Sequence, residues 1–152
     1  MNQILLLNGP NLNRLGKREP EIYGTDTLES IELHLASVAE RQGFIIDAKQ
    51  SNHEGELIDA LHHAEDHQYK GIIFNPAAYT HTSIALRDAV AAISIPVTEV
   101  HLSNIHAREP FRHLSMIAAE AIGQISGFGV YGYEMALNAL IKHVKENHHE
   151  QN

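Results

Sequence analysis

Apolar positions along this 152-residue chain fall into two alternating rhythms. Short apolar runs at Gln3–Leu7, Phe44–Lys49, Gly71–Asn75, Val97–His101 and Gly123–Gly127 have the length and composition of buried strands. Between them, Leu28, Ile31, Leu35 and Val38 recur at helical spacing, as do Leu57, Leu61 and Ala64, and then Leu86, Ala89, Val90 and Ile93. The last set, Leu137, Leu140, Ile141 and Val144, marks an amphipathic helix. Residues 111–122 are ambiguous, because Leu114, Ile117, Ala118 and Ala121 have helical spacing although a strand must follow at once. Asp26 with Glu29 predicts a capping box, Gly43 a helix C-terminus, and the polar stretch 145–152 a fraying tail.

This reads as five βα units in one domain spanning 1–152. Strand–helix alternation predicts an α/β fold whose parallel sheet carries helices on both faces. In such sheets ligands bind outside the carboxyl ends of the strands. Those ends are where chemistry is to be sought.

The first strand runs into Asn8-Gly9-Pro10-Asn11-Leu12-Asn13-Arg14 and a connection of about 20 residues, against the usual 2–6. Gly16 to Gly24 has glycines at both ends around Lys17, Arg18 and Tyr23, the make-up of an active-site lid. The third strand ends in Asn75-Pro76-Ala77-Ala78-Tyr79-Thr80-His81-Thr82-Ser83, and the fourth in Glu99-Val100-His101-Leu102-Ser103. Taken singly, Ser83 or Thr82 reads as a helix N-cap, and Asn8 and Asn75 as residues that end strands through Asx turns. Their convergence on one edge is more than surface loops require.

Asn8 and Asn75 stand where an Mg²⁺-binding phosphoacceptor domain would need carboxylates. Neither GxGxxG nor GxxxxGK[ST] follows the first strand, which disfavours flavin and dinucleotide binding. With 19 acidic and 11 basic residues the net charge is −8 and no Lys/Arg cluster exists, so nucleic acid and anionic membrane are not expected partners. No cysteine is present, which removes thiolate chemistry and fits the cytoplasm. Ile4–Leu7 is far too short to span a membrane.

The 12 histidines suggest metal at first sight. His62, His63 and His67 share a helix without an HExxH motif, and His148-His149 fall in the polar tail. Only His81 and His101 sit at strand ends. Glu99, two residues before His101, lies on the same strand face, where it can orient the ring or support its proton.

Together, Asn8-Gly-Pro-Asn-Leu-Asn13, Gly71-Ile-Ile-Phe-Asn-Pro-Ala-Ala-Tyr-Thr-His-Thr-Ser83, the run Glu99 to Arg112 and Gly127-Phe-Gly resemble type II 3-dehydroquinate dehydratase from the first strand to the last helix. The resemblance implies a flavodoxin-like three-layer sandwich with strand order 2-1-3-4-5. It implies a lyase that converts 3-dehydroquinate reversibly to 3-dehydroshikimate through an enolate, with no metal or organic cofactor.

By the same resemblance Tyr23, as tyrosinate, removes a proton with help from Arg18, Asn11 and a water stabilise the enolate, and His101 protonates the departing hydroxyl. Leu102 and Ser103 hold the substrate carboxylate through backbone N–H groups, with further contacts from Asn75, His81 and Arg112. Asp88 reaches a neighbour's site in a dodecamer of trimers. A free tyrosine is only about 0.1% ionised at pH 7, a deficit of roughly 4 kcal/mol. A nearby arginine recovers about 1–3 pKa units of it.

His53, Ala78 and residues 114–119 depart from the family's usual residues. None of these departures removes a catalytic group. A module that merely binds small anions is the alternative that the residues themselves leave open.

Overall fold

The computed structural model describes residues 2–17, 21 and 25–150, with side chains to Asn147. Five strands, β1 (Gln3–Asn8), β2 (Ile45–Gln50), β3 (Gly71–Asn75), β4 (Val97–His101) and β5 (Gly123–Ser126), form one parallel sheet of order β2-β1-β3-β4-β5. Among the described residues four long helices accompany them: α1 (Leu28–Glu40), α2 (Glu54–Asp66), α3 (Ile84–Ala92) and α4 (Tyr131–Glu150). This is the flavodoxin-like α/β arrangement expected from the sequence, with β3 and β4 at the predicted bounds.

Alternation along the central strands divides the core into two layers. Ile4 and Leu6 of β1 and Ile73 of β3 pack with Ile31 and Leu35 of α1 and Leu137 and Leu140 of α4. Leu5 and Leu7, with Ile72 and Phe74, face Leu57 and Leu61 of α2 and Leu86 and Val90 of α3. Each fully buried Leu, Ile or Phe of this kind stabilises the fold by about 1.5–3 kcal/mol. The layers hold β1, β3 and β4 in register, so Asn8 lies opposite Asn75 and Phe74 opposite Glu99.

Two local expectations are corrected. The capping box is Thr27 with Ser30, one residue later than Asp26 with Glu29. Thr27 is the residue with extended backbone, so its hydroxyl reaches the Ser30 N–H at 3.1 Å, and Ser30 Oγ accepts from the Thr27 N–H at 3.1 Å. Asp26 instead accepts from the Ser30 hydroxyl at 3.4 Å. Gly43 does take a left-handed φ of 84° in the turn that leaves α1.

The polar stretch from Lys145 lies on α4, which continues to Glu150. Lys142 with Glu146 at 3.9 Å and His143 with Asn147 at 2.9 Å add i,i+4 support along it.

Residues 111–122 form no α-helix, so among the described residues the fourth βα unit lacks one between β4 and β5. Their backbone is committed to cross-links: Met116 N–H donates to Thr80 O at 2.7 Å, Arg87 Nη1 donates to Met116 O at 2.9 Å, and His81 Nδ1 lies 2.8 Å from Leu114 O. Only Ile117 of the four helically spaced residues enters the core. Single turns of 3₁₀ helix at Pro110–Arg112 and Ala118–Glu120 replace the helix.

Candidate active site

The carboxyl ends of β1 and β3 are joined by a buried chain of polar groups. Tyr133, fully buried on α4, donates its hydroxyl proton to Asn8 Oδ1 at 2.5 Å and accepts from Asn75 Nδ2 at 2.9 Å. Asn75 Oδ1 accepts from the Ala77 N–H at 3.0 Å, the Asx turn its position suggested. Asn75 is therefore fixed at both ends of its amide. Burial raises the Tyr133 phenol well above its ordinary range, so the group stays protonated and must donate.

On the opposite face of the sheet, at the end of β4, Glu99 is completely buried and His101 nearly so. Glu99 Oε2 lies 2.5 Å from His101 Nε2. Thr80 Oγ1 donates to Oε2 at 2.8 Å, and Ser115 Oγ reaches Oε1 at 2.8 Å and Oε2 at 2.9 Å. Burial pushes the Glu99 carboxyl up, but the hydrogen bonds from His101, Thr80 and Ser115 outweigh it and hold the group below the usual carboxylate range. An ionised carboxylate only accepts, so His101 presents Nε2–H to it and keeps Nδ1 for other chemistry.

The loop after β1 approaches β3 closely. A Cβ on Gly9 would stand 2.6 Å from Pro76 O, so any side chain there would push the two strand ends apart. Asn11 follows in the left-handed region at φ 71°, with its N–H donating to Asn52 Oδ1 at 3.0 Å. Gln50 Nε2 donates both to Asn52 Oδ1 at 3.2 Å and to Gly9 O at 3.1 Å. Leu12 and Leu15 pack into the core below.

These groups surround a cavity of about 150 Å³ lined by Asn11, Asn75, His81, His101, Leu102, Ser103, Arg108 and Arg112 with apolar walls from Leu12, Leu15 and Ile105. Arg112 Nε donates to Glu109 Oε1 at 3.0 Å, and Arg108 Nη1 lies 3.5 Å from Ser103 Oγ. The backbone N–H groups of Leu102 and Ser103 donate to no acceptor among the described residues. An anion placed here meets two guanidinium groups and two backbone donors inside a protein of charge −8.

The His81 ring centroid lies 6.3 Å from that of His101. Burial lowers its pKa from the ordinary 6.5; the Leu114 carbonyl opposes this, while His101 and Arg112 reinforce it. His81 is accordingly neutral near pH 7. Since a carbonyl only accepts, Nδ1–H points at Leu114 O and Nε2 is left as an acceptor for a hydroxyl.

Seven expected site residues thus line one cavity, namely Asn11, Asn75, His81, His101, Leu102, Ser103 and Arg112, and Glu99 stands behind His101. Asp88 is exposed on α3 and does not line it. Tyr23 and Arg18 lie outside the described residues. Of the two candidate caps Ser83 and Thr82, it is Ser83 that caps α3, by accepting from the Leu86 N–H at 2.9 Å. The rings of His63 and His67 stack at 3.9 Å on α2, and among the described residues no three His, Asp or Glu side chains converge as a metal site.

Sequence reading missed Arg108, Tyr133, Asn52, Thr80 and Ser115. Arg108 sat within a quoted motif and carried a charge signal. The others are ordinary polar residues whose partners are remote in the chain, up to 125 residues away for Tyr133 and Asn8.

Comparison with known proteins agrees with this geometry. A family model described as "Dehydroquinase class II" matches residues 2–141. A 3-dehydroquinate dehydratase of Bacillus licheniformis is 64% identical over 138 residues, covering 91% of this chain and 94% of its own. One from Bacillus cereus (strain B4264) is 58% identical over 146 residues, covering 96% and 99%. Among solved structures, the type II dehydroquinase of Propionibacterium acnes superposes with a TM-score of 0.88 at 44% identity, covering 92% of this chain and 96% of its own. The match runs from β1 into α4 and so spans the whole cavity: this chain belongs to the class II dehydroquinase family.

Proposed function

We propose that the chain catalyses the reversible dehydration of 3-dehydroquinate to 3-dehydroshikimate, a step of the shikimate pathway, in the cytoplasm and without metal or organic cofactor. The observation that carries this reading is the Glu99–His101 pair, buried at the rim of a cavity that also presents Asn11, two arginines and free backbone donors. Similarity to named 3-dehydroquinate dehydratases supports the substrate.

In this mechanism the Tyr23 phenolate, its charge supported by Arg18, takes a proton from C2, and the electron pair passes into the C3 carbonyl as an enolate. Asn11 and a water hydrogen-bond the enolate oxygen. The enolate then collapses, the C1–O bond breaks, and His101 delivers a proton from Nδ1 so that the hydroxyl departs as water. Glu99 keeps Nε2–H engaged throughout, which fixes the ring. The substrate carboxylate sits on the Leu102 and Ser103 N–H groups, and its hydroxyls contact Asn75, His81 and Arg112.

Subunits assemble as a dodecamer of trimers, and the exposed Asp88 on α3 serves a neighbour's cavity instead of its own. Tyr23→Phe tests the proposal. It should abolish turnover while calorimetry still detects substrate binding. Undiminished turnover would overturn the assignment of the base.

A further inference from the structure

The hydrogen bonding around Glu99 leaves Ser115 no freedom. A serine hydroxyl has one proton and two lone pairs. Ser115 Oγ accepts from the Ile117 N–H at 3.1 Å and from the Ala118 N–H at 3.0 Å, so both lone pairs are used. Its one proton must therefore point at the Glu99 carboxylate, shared between the two oxygens at 2.8 and 2.9 Å. Thr80, also fully buried, supplies a second hydroxyl to Oε2 at 2.8 Å.

We infer that Thr80 and Ser115 are positioning residues of the active site, acting on His101 through Glu99 without touching substrate. The inference deepens the proposed lyase reading and rests on it for its kinetic consequence.

Glu99 is wholly buried, so an under-solvated carboxylate there would take up a proton or rotate away. Among the described residues, every group that hydrogen-bonds to it can donate: His101 Nε2, Thr80 and Ser115. That donor set replaces water and favours the ionised form. The ionised form is the one that accepts Nε2–H and so directs His101 Nδ1 to the cavity. Ser115 also explains why residues 111–122 cross the mouth of β4 as an irregular strap. Ile117 anchors the strap in the core and the Met116–Thr80 backbone bond ties it down, which sets Ser115 against the carboxylate.

The test combines kinetics with nitrogen-15 NMR of the His101 ring in the free enzyme. Ser115→Ala should lower kcat by roughly ten-fold or more, the loss expected for a hydrogen bond to a charged group, with KM changed less than about two-fold. Ser115→Thr, which retains the hydroxyl, should restore turnover. In the wild-type enzyme His101 should show a protonated Nε2 as a single form, and Ser115→Ala should give a mixture of ring forms.

Thr80→Val leaves the strap's backbone bonds in place and should produce both effects even where Ser115→Ala fails to fold. Wild-type kcat together with an unchanged His101 spectrum in either folded variant would overturn the inference. The NMR arm needs no turnover, so absence of lyase activity in the wild type would count against the proposed function and leave the positioning role to be judged on the spectrum.

Discussion

The Tyr133 hydroxyl donates to Asn8 Oδ1 at 2.5 Å and so ties the last helix to the end of the first strand. Because the same oxygen accepts from Asn75, one phenol organises two of the three strand ends that meet at the cavity. Tyr133→Phe keeps the ring in the core but strands the Asn8 carbonyl and the Asn75 amide without a partner. The expected cost is about 1–3 kcal/mol per stranded group, read as a lower urea midpoint with an unchanged slope. A variant as stable as the parent would show that the chain of polar groups contributes nothing.

A second prediction concerns acid. Glu99 has a folded pKa below its ordinary 4.5, so its contribution to stability is complete above 4.5 and is lost as pH falls through the lower folded value. His81 also has a lowered pKa, so the folded state binds that proton less readily than the unfolded chain and stability begins to fall as pH drops below 6.5. Thermal midpoints should therefore decline from about pH 6.5 downward. Glu99→Gln should melt lower than the parent at pH 7, with the gap narrowing towards pH 3. Parallel curves for the two proteins would contradict the assignment of an ionised, hydrogen-bonded Glu99.

Asn52 offers a third test, because its side chain accepts from the N–H of Asn11 and from Gln50 across an exposed loop. Left-handed backbone is uncommon for residues other than glycine, and Asn11 sits there at φ 71°. Asn52→Ala should lower kcat/KM by about ten-fold through a displaced Asn11 while costing less than about 1 kcal/mol of stability, since the lost bond is solvent-exposed. Equal turnover would mean that Asn11 is held by other contacts.

No lysine is among the described residues that line the cavity. Borohydride added together with substrate should accordingly leave activity intact. Inactivation with a mass increase on a lysine would point to an imine mechanism instead of a tyrosinate one.

The strand-end rule carried far in this chain because its physical basis is local. Gly71–Asn75 is apolar up to its last residue, and both it and Val97–His101 are buried along their whole length, which leaves such segments little choice of structure. Asn75 and His101 follow as the residues at which those runs stop. Residues 111–122 were ambiguous for the converse reason: their helical spacing is real, but Thr80, His81 and Arg87 capture the backbone and only Ile117 finds the core. Thr80 and Ser115 were illegible as site residues because their role depends on a carboxylate 19 and 16 residues away. A polar side chain shows its partner only once the fold has brought the two together.

The most direct measurement of the central claim is the growth of ultraviolet absorbance from the conjugated enone product when the purified protein, dialysed against a chelator, is mixed with 3-dehydroquinate. The account predicts growth proportional to enzyme concentration, undiminished by the chelator and abolished by Tyr23→Phe. No growth at any enzyme concentration, or growth that requires added metal, would contradict it.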